Sequence, residues 1–381
     1  MNKLLNCFKD ERYPSLGPIL KIMKFFCLWR PGRSKVKTLL HYAGVVYVMI
    51  YLTDIYLYIT FKYNYESFIQ FVNLSAFHLA VFKVYTFTTN HVQWEGIINQ
   101  ISEIELSSLA DEKAKHTPVV LKFQKYGLMV MAGLMIIGLP LNISYITVFM
   151  IRQMSFINQK EENMFQVWIP FDKSTRMGRI TDLVLQVLFS ELGCIYVLCW
   201  DSLVLQLMMS FVGQLKSLRI RCAHLLDNPN EIVALKNIMD CHQHYLKIIR
   251  CQKLLNEMIS SVMFLYFIMI TVNYGVCAIL LQTELELLLP SIELLFGLLM
   301  ELLFYYWIGN EIISLDIAYG LFESKWVDSS ARIRRTMYML VVGFQKRIAF
   351  TAGPFNEMSL STFITVLRTS YSFYTLLNRR R

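Results

Sequence analysis

Long apolar runs, interrupted by short charged segments, dominate the chain. A membrane-spanning helix needs about 20 mostly apolar residues, each rising about 1.5 Å. Six stretches meet that length: 39–61, 67–89, 124–150, 181–211, 258–281 and 288–310. The fourth is longer than a bilayer requires, so it is expected to tilt or to extend beyond the membrane. A seventh stretch, 358–377, is short and rich in Ser and Thr. Just before it, Gly353-Pro354 should stop any helix arriving from 332–350. The pattern predicts an all-α polytopic membrane protein with seven transmembrane helices and a separate helix at 332–350 outside the membrane. Segment 16–29 mixes apolar groups with Lys21 and Lys24, as in a helix lying on a membrane surface.

Composition supports this reading. Of the 381 residues, 55% are hydrophobic and only 17% charged, against about 25% charged in soluble domains. Mean hydropathy is +0.42. The aromatic share of 14% suits lipid-facing helices and interfacial belts. A net charge of +9 could suggest nucleic acid in a soluble protein. Here the basic residues are better placed in loops facing an anionic inner leaflet, and no nucleic-acid partner is expected.

The distribution of Lys and Arg sets the orientation. With the N-terminus inside, 26 of the 37 fall in inner segments and 9 in outer ones. Nine lie within residues 1–38, where no apolar core with a cleavage site is evident, so no signal peptide is expected. An intracellular N-terminus argues against a G-protein-coupled receptor. The signatures of that class are also missing: the third span ends Thr147-Val148-Phe149-Met150-Ile151-Arg152, and 358–377 has no Asn-Pro-x-x-Tyr. No Cys falls in a predicted outer loop, so no extracellular disulfide is expected.

Phosphate-loop, zinc-protease, serine-hydrolase and potassium-filter motifs are all absent, and neither enzymatic activity nor a cofactor is expected. Cys241, His242, His244 and Cys251 cluster within inner segment 213–257, but their spacing fits no zinc module, and no metal is expected. Asn73-Leu-Ser75 and Asn142-Ile-Ser144 match the glycosylation pattern but lie in spans.

Ionisable residues within spans are costly in lipid and need a reason. Lys83, Asp182, Asp201 and Glu301 lie toward span ends, where snorkelling or water contact would suffice. His78, Glu191 and Glu293 lie deeper, as interhelical hydrogen bonders or as polar anchors of a ligand cavity. Glu293, Gly297 and Glu301 share one helix face, which also leaves a transporter or membrane enzyme open. In the final span, Thr362, Thr365, Thr369, Ser372 and Leu376 fall at steps of three, four, three and four, again on one face. A hydroxyl stripe ending in an apolar residue fits a wet pore wall with a hydrophobic constriction. It equally fits hydroxyls bonded back to their own helix.

The C-terminal third resembles the insect odorant receptor family. The matching residues are Ala318-Tyr319, Ser324, Trp326, Phe344-Gln345-Lys346, Ala352-Gly353, Ser359-Leu360, Phe363, Leu367 and Ser370-Tyr371-Ser372. Near the N-terminus, Leu28-Trp29 followed by Pro31 is similar to the family's Leu-Trp-Pro motif, with Arg30 inserted. Ser370-Tyr371-Ser372 and Thr375-Leu376-Leu377 fit this branch better than the related gustatory receptors, whose plan is similar.

The resemblance implies a ligand-tuning subunit of an odour-gated, non-selective cation channel. Such subunits form heterotetramers with a shared coreceptor in the plasma membrane, in dendrites of olfactory sensory neurons. It implies one membrane unit across 1–381. Residues 1–38 would be cytoplasmic, 39–310 would hold helices one to six, and 311–350, with the extended ends of helices four to six, would form a cytoplasmic anchor region. The anchor would carry most inter-subunit contacts and would give Trp326 a packing role. Residues 358–377 would line the pore, with Leu376 as the constriction beside Thr375 and Ser372. Arg379 continues the stripe, an unusual charge beside a cation pore. The ligands implied are small volatile odorants. Their pocket would lie in the outer halves of helices two, three, four and six. By position this selects Phe71, Phe77, His78, Leu139, Asn142, Ile143, Glu191, Ile195, Ser291 and Phe296, each of which bundle packing could also explain.

Overall fold

The computed structural model describes residues 10–26, 28–29, 75–110, 114–155, 176–283 and 285–378. The predicted first span at 39–61 lies outside these residues, as do 67–74 of the second. The remainder of the second forms α2 (Ser75–Thr89), preceded by α1 (Gly17–Phe25) and followed by α3 (His91–Leu109). Three long helices come next: α4 (Thr117–Ser155), α5 (Arg176–Ala223) and α6 (Glu231–Thr283). The chain closes with α7 (Leu285–Ile313), α8 (Ala318–Glu323), a 3₁₀ turn, α9 (Ala331–Phe344), a small hairpin and α10 (Leu360–Asn378). Among the described residues, four helices are long and apolar enough to cross a membrane.

α6 has 53 residues, about 80 Å at 1.5 Å per residue. That far exceeds the roughly 30 Å hydrocarbon core, so much of it must project out of the bilayer. Segment 213–257, between the fourth and fifth predicted spans, is helical on both sides of a short turn, as extended ends of the flanking helices. Asn230 caps the start of α6 by accepting from the Ile232 N–H at 3.0 Å. Ser330 caps α9 from the Ile333 N–H and donates to Glu231 at 3.0 Å. This joins the starts of α9 and α6. One face of α9, carrying Ile333, Met337, Leu340, Val341 and Phe344, is buried. Phe344 packs on Tyr245 of α6 with ring centroids 4.3 Å apart.

α5 is the central post of the bundle. It touches α1, α2, α3, α4, α6, α7 and α8. Its C-terminal half is sheathed by protein, with Leu203, Val204, Leu207, Met208, Phe211 and Val212 all buried. α4 runs through Pro140, whose missing N–H leaves the Ile136 carbonyl without its helical donor.

Two expectations are corrected here. α1 turns Leu16, Ile19, Leu20 and Met23 into the protein, so its apolar face packs on the bundle instead of on lipid. The buried Ser15 beside it donates to Glu105 of α3 at 2.7 Å. The helix expected at 332–350 ends at Phe344. Beyond it, Thr351–Ala352 pairs antiparallel with Asn356–Glu357. Gly353 sits at the turn with φ +71°, a left-handed conformation that glycine adopts without strain.

Candidate functional site

The feature that sequence reasoning missed is a buried ion cage. Lys83 of α2 is completely buried. Its Nζ donates to both carboxylate oxygens of Asp201 on α5, at 2.7 and 2.6 Å. It also donates to Glu301 of α7 at 2.9 Å. Tyr305 donates to Asp201 at 2.7 Å. The Lys83 ammonium lies 4.9 Å from the Tyr266 ring centroid and 5.2 Å from that of Trp200. Tyr266, on α6, donates in turn to the Leu298 carbonyl at 2.9 Å. Four helices therefore meet at one charged node. The expectation that Lys83, Asp201 and Glu301 satisfy themselves by snorkelling or water contact is wrong: they satisfy one another in the protein interior. Each residue was visible as a charge in an apolar run, but nothing local marked the three as partners.

The candidate lining residues precede the cage in each helix. Phe77 and His78 precede Lys83 on α2, Glu191 and Ile195 precede Asp201 on α5, and Ser291 and Phe296 precede Glu301 on α7. Phe71 lies outside the described residues, and α2 and α7 carry Phe77, His78 and Ser291 at helical positions. On α4, Leu139 and Asn142 are half-buried and Ile143 is exposed. Glu191 and Ile195 are half-buried, and Ile195 packs against the core. Phe296 is exposed.

In α10, the hydroxyl stripe turns away from the chain's own bundle. Thr365, Thr369 and Ser372 are exposed, and Thr362 and Thr375 are half-buried. The hydroxyls of Thr365, Thr369, Ser372 and Thr375 donate to Ser361, Thr365, Arg368 and Ser372 carbonyls at 2.8–3.0 Å. Both readings of the stripe are thus compatible on one helix, since back-bonded hydroxyl oxygens still face outward. Val366 on the other side is buried, and Phe363 packs on Tyr306 of α7. Leu376 follows the stripe within α10, and Arg379 lies outside the described residues.

The cysteine–histidine cluster takes structural contacts. Cys241 faces Cys222 at 3.4 Å, and Cys251 donates to Gln100 at 3.1 Å. Among the described residues, no group of three or more His, Cys, Asp or Glu could hold a metal ion. Trp326 is half-buried against the core.

The family model described as 7tm Odorant receptor matches residues 65–371. Odorant receptor 23a of Drosophila melanogaster is 27% identical over 251 residues, covering 62% of this chain and 65% of that protein. Odorant receptor Or2 of Anopheles gambiae is 25% identical over 150 residues, covering 37% and 39%. Less than two-thirds of either relative's length is therefore matched. The solved insect olfactory receptor OR5 from Machilis hrabei superposes with a TM-score of 0.80 at 15% identity, over 95% of this chain and 97% of that one. The same receptor in complex with eugenol gives 0.75 over the same shares, again at 15% identity.

Proposed function

Because the chain belongs to the 7tm odorant receptor family, we propose that it is the ligand-tuning subunit of an odour-gated, non-selective cation channel formed with a shared coreceptor. The observation that carries this reading is the likeness in fold, over nearly the whole chain, to a receptor solved with eugenol. The outward-facing hydroxyl stripe of α10 supports a pore-lining role for Thr362, Thr365, Thr369, Ser372, Thr375 and Leu376. The length of α6 supports a cytoplasmic anchor. The N-terminus would be intracellular, and the receptor would lie in the plasma membrane of olfactory dendrites.

In this mechanism a small volatile is held mainly by apolar burial among Leu139, Ile143, Ile195 and Phe296, with Asn142, His78 or Glu191 supplying a hydrogen bond. The ligand binds the open packing of the bundle more tightly, and that differential affinity shifts the closed–open equilibrium. The outer end of α10 moves away from the axis, Leu376 retracts and the pore wets.

Co-expression with an insect coreceptor and a volatile panel tests the reading. The expected result is a rapid cation current that needs both subunits. An N-terminal tag reachable from outside intact cells would overturn it.

A further inference from the structure

Three polar side chains lie at steps of four on one face of α6: Gln252, Asn256 and Ser260. All three reach the same target, the segment that leads into α10. Gln252 donates to the Ala349 carbonyl at 2.7 Å. Asn256 accepts from the Thr351 N–H at 2.7 Å and donates to the Thr351 hydroxyl at 3.1 Å. The Ser260 carbonyl accepts from the Gly353 N–H at 3.0 Å, and its hydroxyl lies 3.3 Å from that of Thr351. One helix face thus reads alternate residues 349, 351 and 353 as a partner strand would. Between them Phe350 and Ala352 are buried.

α7 holds the same junction from another side. A Cβ on Gly309 would collide with the Met358 carbonyl oxygen, so the two backbones are in contact there. Asn310 accepts from the Leu360 N–H at 3.4 Å. Exposed positions run along α10 from Ser361, Ile364 and Thr365 to Arg368, Thr369, Tyr371 and Ser372, while Val366 is buried. The base of the helix is thus fixed by α6 and α7.

We infer that Gln252, Asn256 and Ser260 are positioning residues that form the fulcrum of α10, so that rearrangement of the bundle is delivered to the pore end instead of being absorbed in the hairpin. This inference rests on the channel reading above. Asn256 is central, because its side chain meets both a backbone N–H and a side-chain hydroxyl of Thr351.

The test is Asn256→Leu in the full chain, co-expressed with coreceptor, alongside Asn256→Asp, which keeps the acceptor for Thr351. At equal surface expression, Asn256→Leu should lower the saturating odorant current at least about fivefold, because both of its hydrogen bonds to Thr351 are lost. Asn256→Asp should restore most of it, which a general packing defect would not allow. Hydrogen exchange at Thr351 should quicken in the Leu variant. A conducting wild type with an unaltered Asn256→Leu variant overturns the fulcrum alone. A wild type that never conducts with verified surface expression overturns the channel reading, and the fulcrum with it.

Discussion

Lys83 shows how little room a buried charge has. Its ammonium is fully desolvated, and two carboxylates and two aromatic faces replace its water. Removing one member of such a set leaves the others uncompensated, at a cost of about 3–5 kcal/mol. Lys83→Met should therefore depress the thermal unfolding midpoint of the purified receptor sharply. Adding Asp201→Asn to that variant should recover part of the loss, because it removes a stranded carboxylate. Glu105 is a further buried acid, outside the membrane. Burial pushes its carboxyl above the usual carboxylate range, opposed by hydrogen bonds from Ser15 and other neighbours. A group whose folded pKa is raised lends its full stability below its unfolded pKa and loses it as pH rises through the folded one. Glu105→Gln should accordingly raise the unfolding midpoint at pH 7.5 and match the wild type near pH 4.

At the scale of elements, periodicity was readable and partners were not. The step pattern of Thr362, Thr365, Thr369, Ser372 and Leu376 puts them on one face of α10 whatever surrounds it. The breaker Gly353-Pro354 was equally plain, though the hairpin it permits was not. The stripe of Gln252, Asn256 and Ser260 carried the same kind of signal, but polar positions at and beyond the margin of a span need no explanation until their partner is seen. If Leu376 closes the pore, replacing it with Ser should raise basal current in coreceptor assemblies. Basal current equal to wild type would remove Leu376 from the gate.

For the whole molecule, the unit that matters under the proposed function is an assembly with a coreceptor. Three consecutive arginines, Arg379 to Arg381, follow the stripe. Four copies would surround a cation path with like charge, whereas a mixed tetramer would dilute it. The chain expressed alone should reach the surface yet carry little cation current, as whole-cell recording would measure. Robust current from the chain alone would contradict this.

Composition and hydropathy were enough to establish helices in a membrane, because lipid leaves a chain few ways to satisfy its backbone. Helical period was enough to say which residues share a face, since that depends only on the geometry of one helix. Which faces meet is another matter. Lys83 finds Asp201 and Glu301 from 118 and 218 residues away, and Asn256 finds Thr351 across 95. Those pairings arise only when several helices pack together, and no local pattern encodes them. The tertiary structure decided them, turning charges that looked solvated into a buried cage and a polar stripe into a support for the final helix.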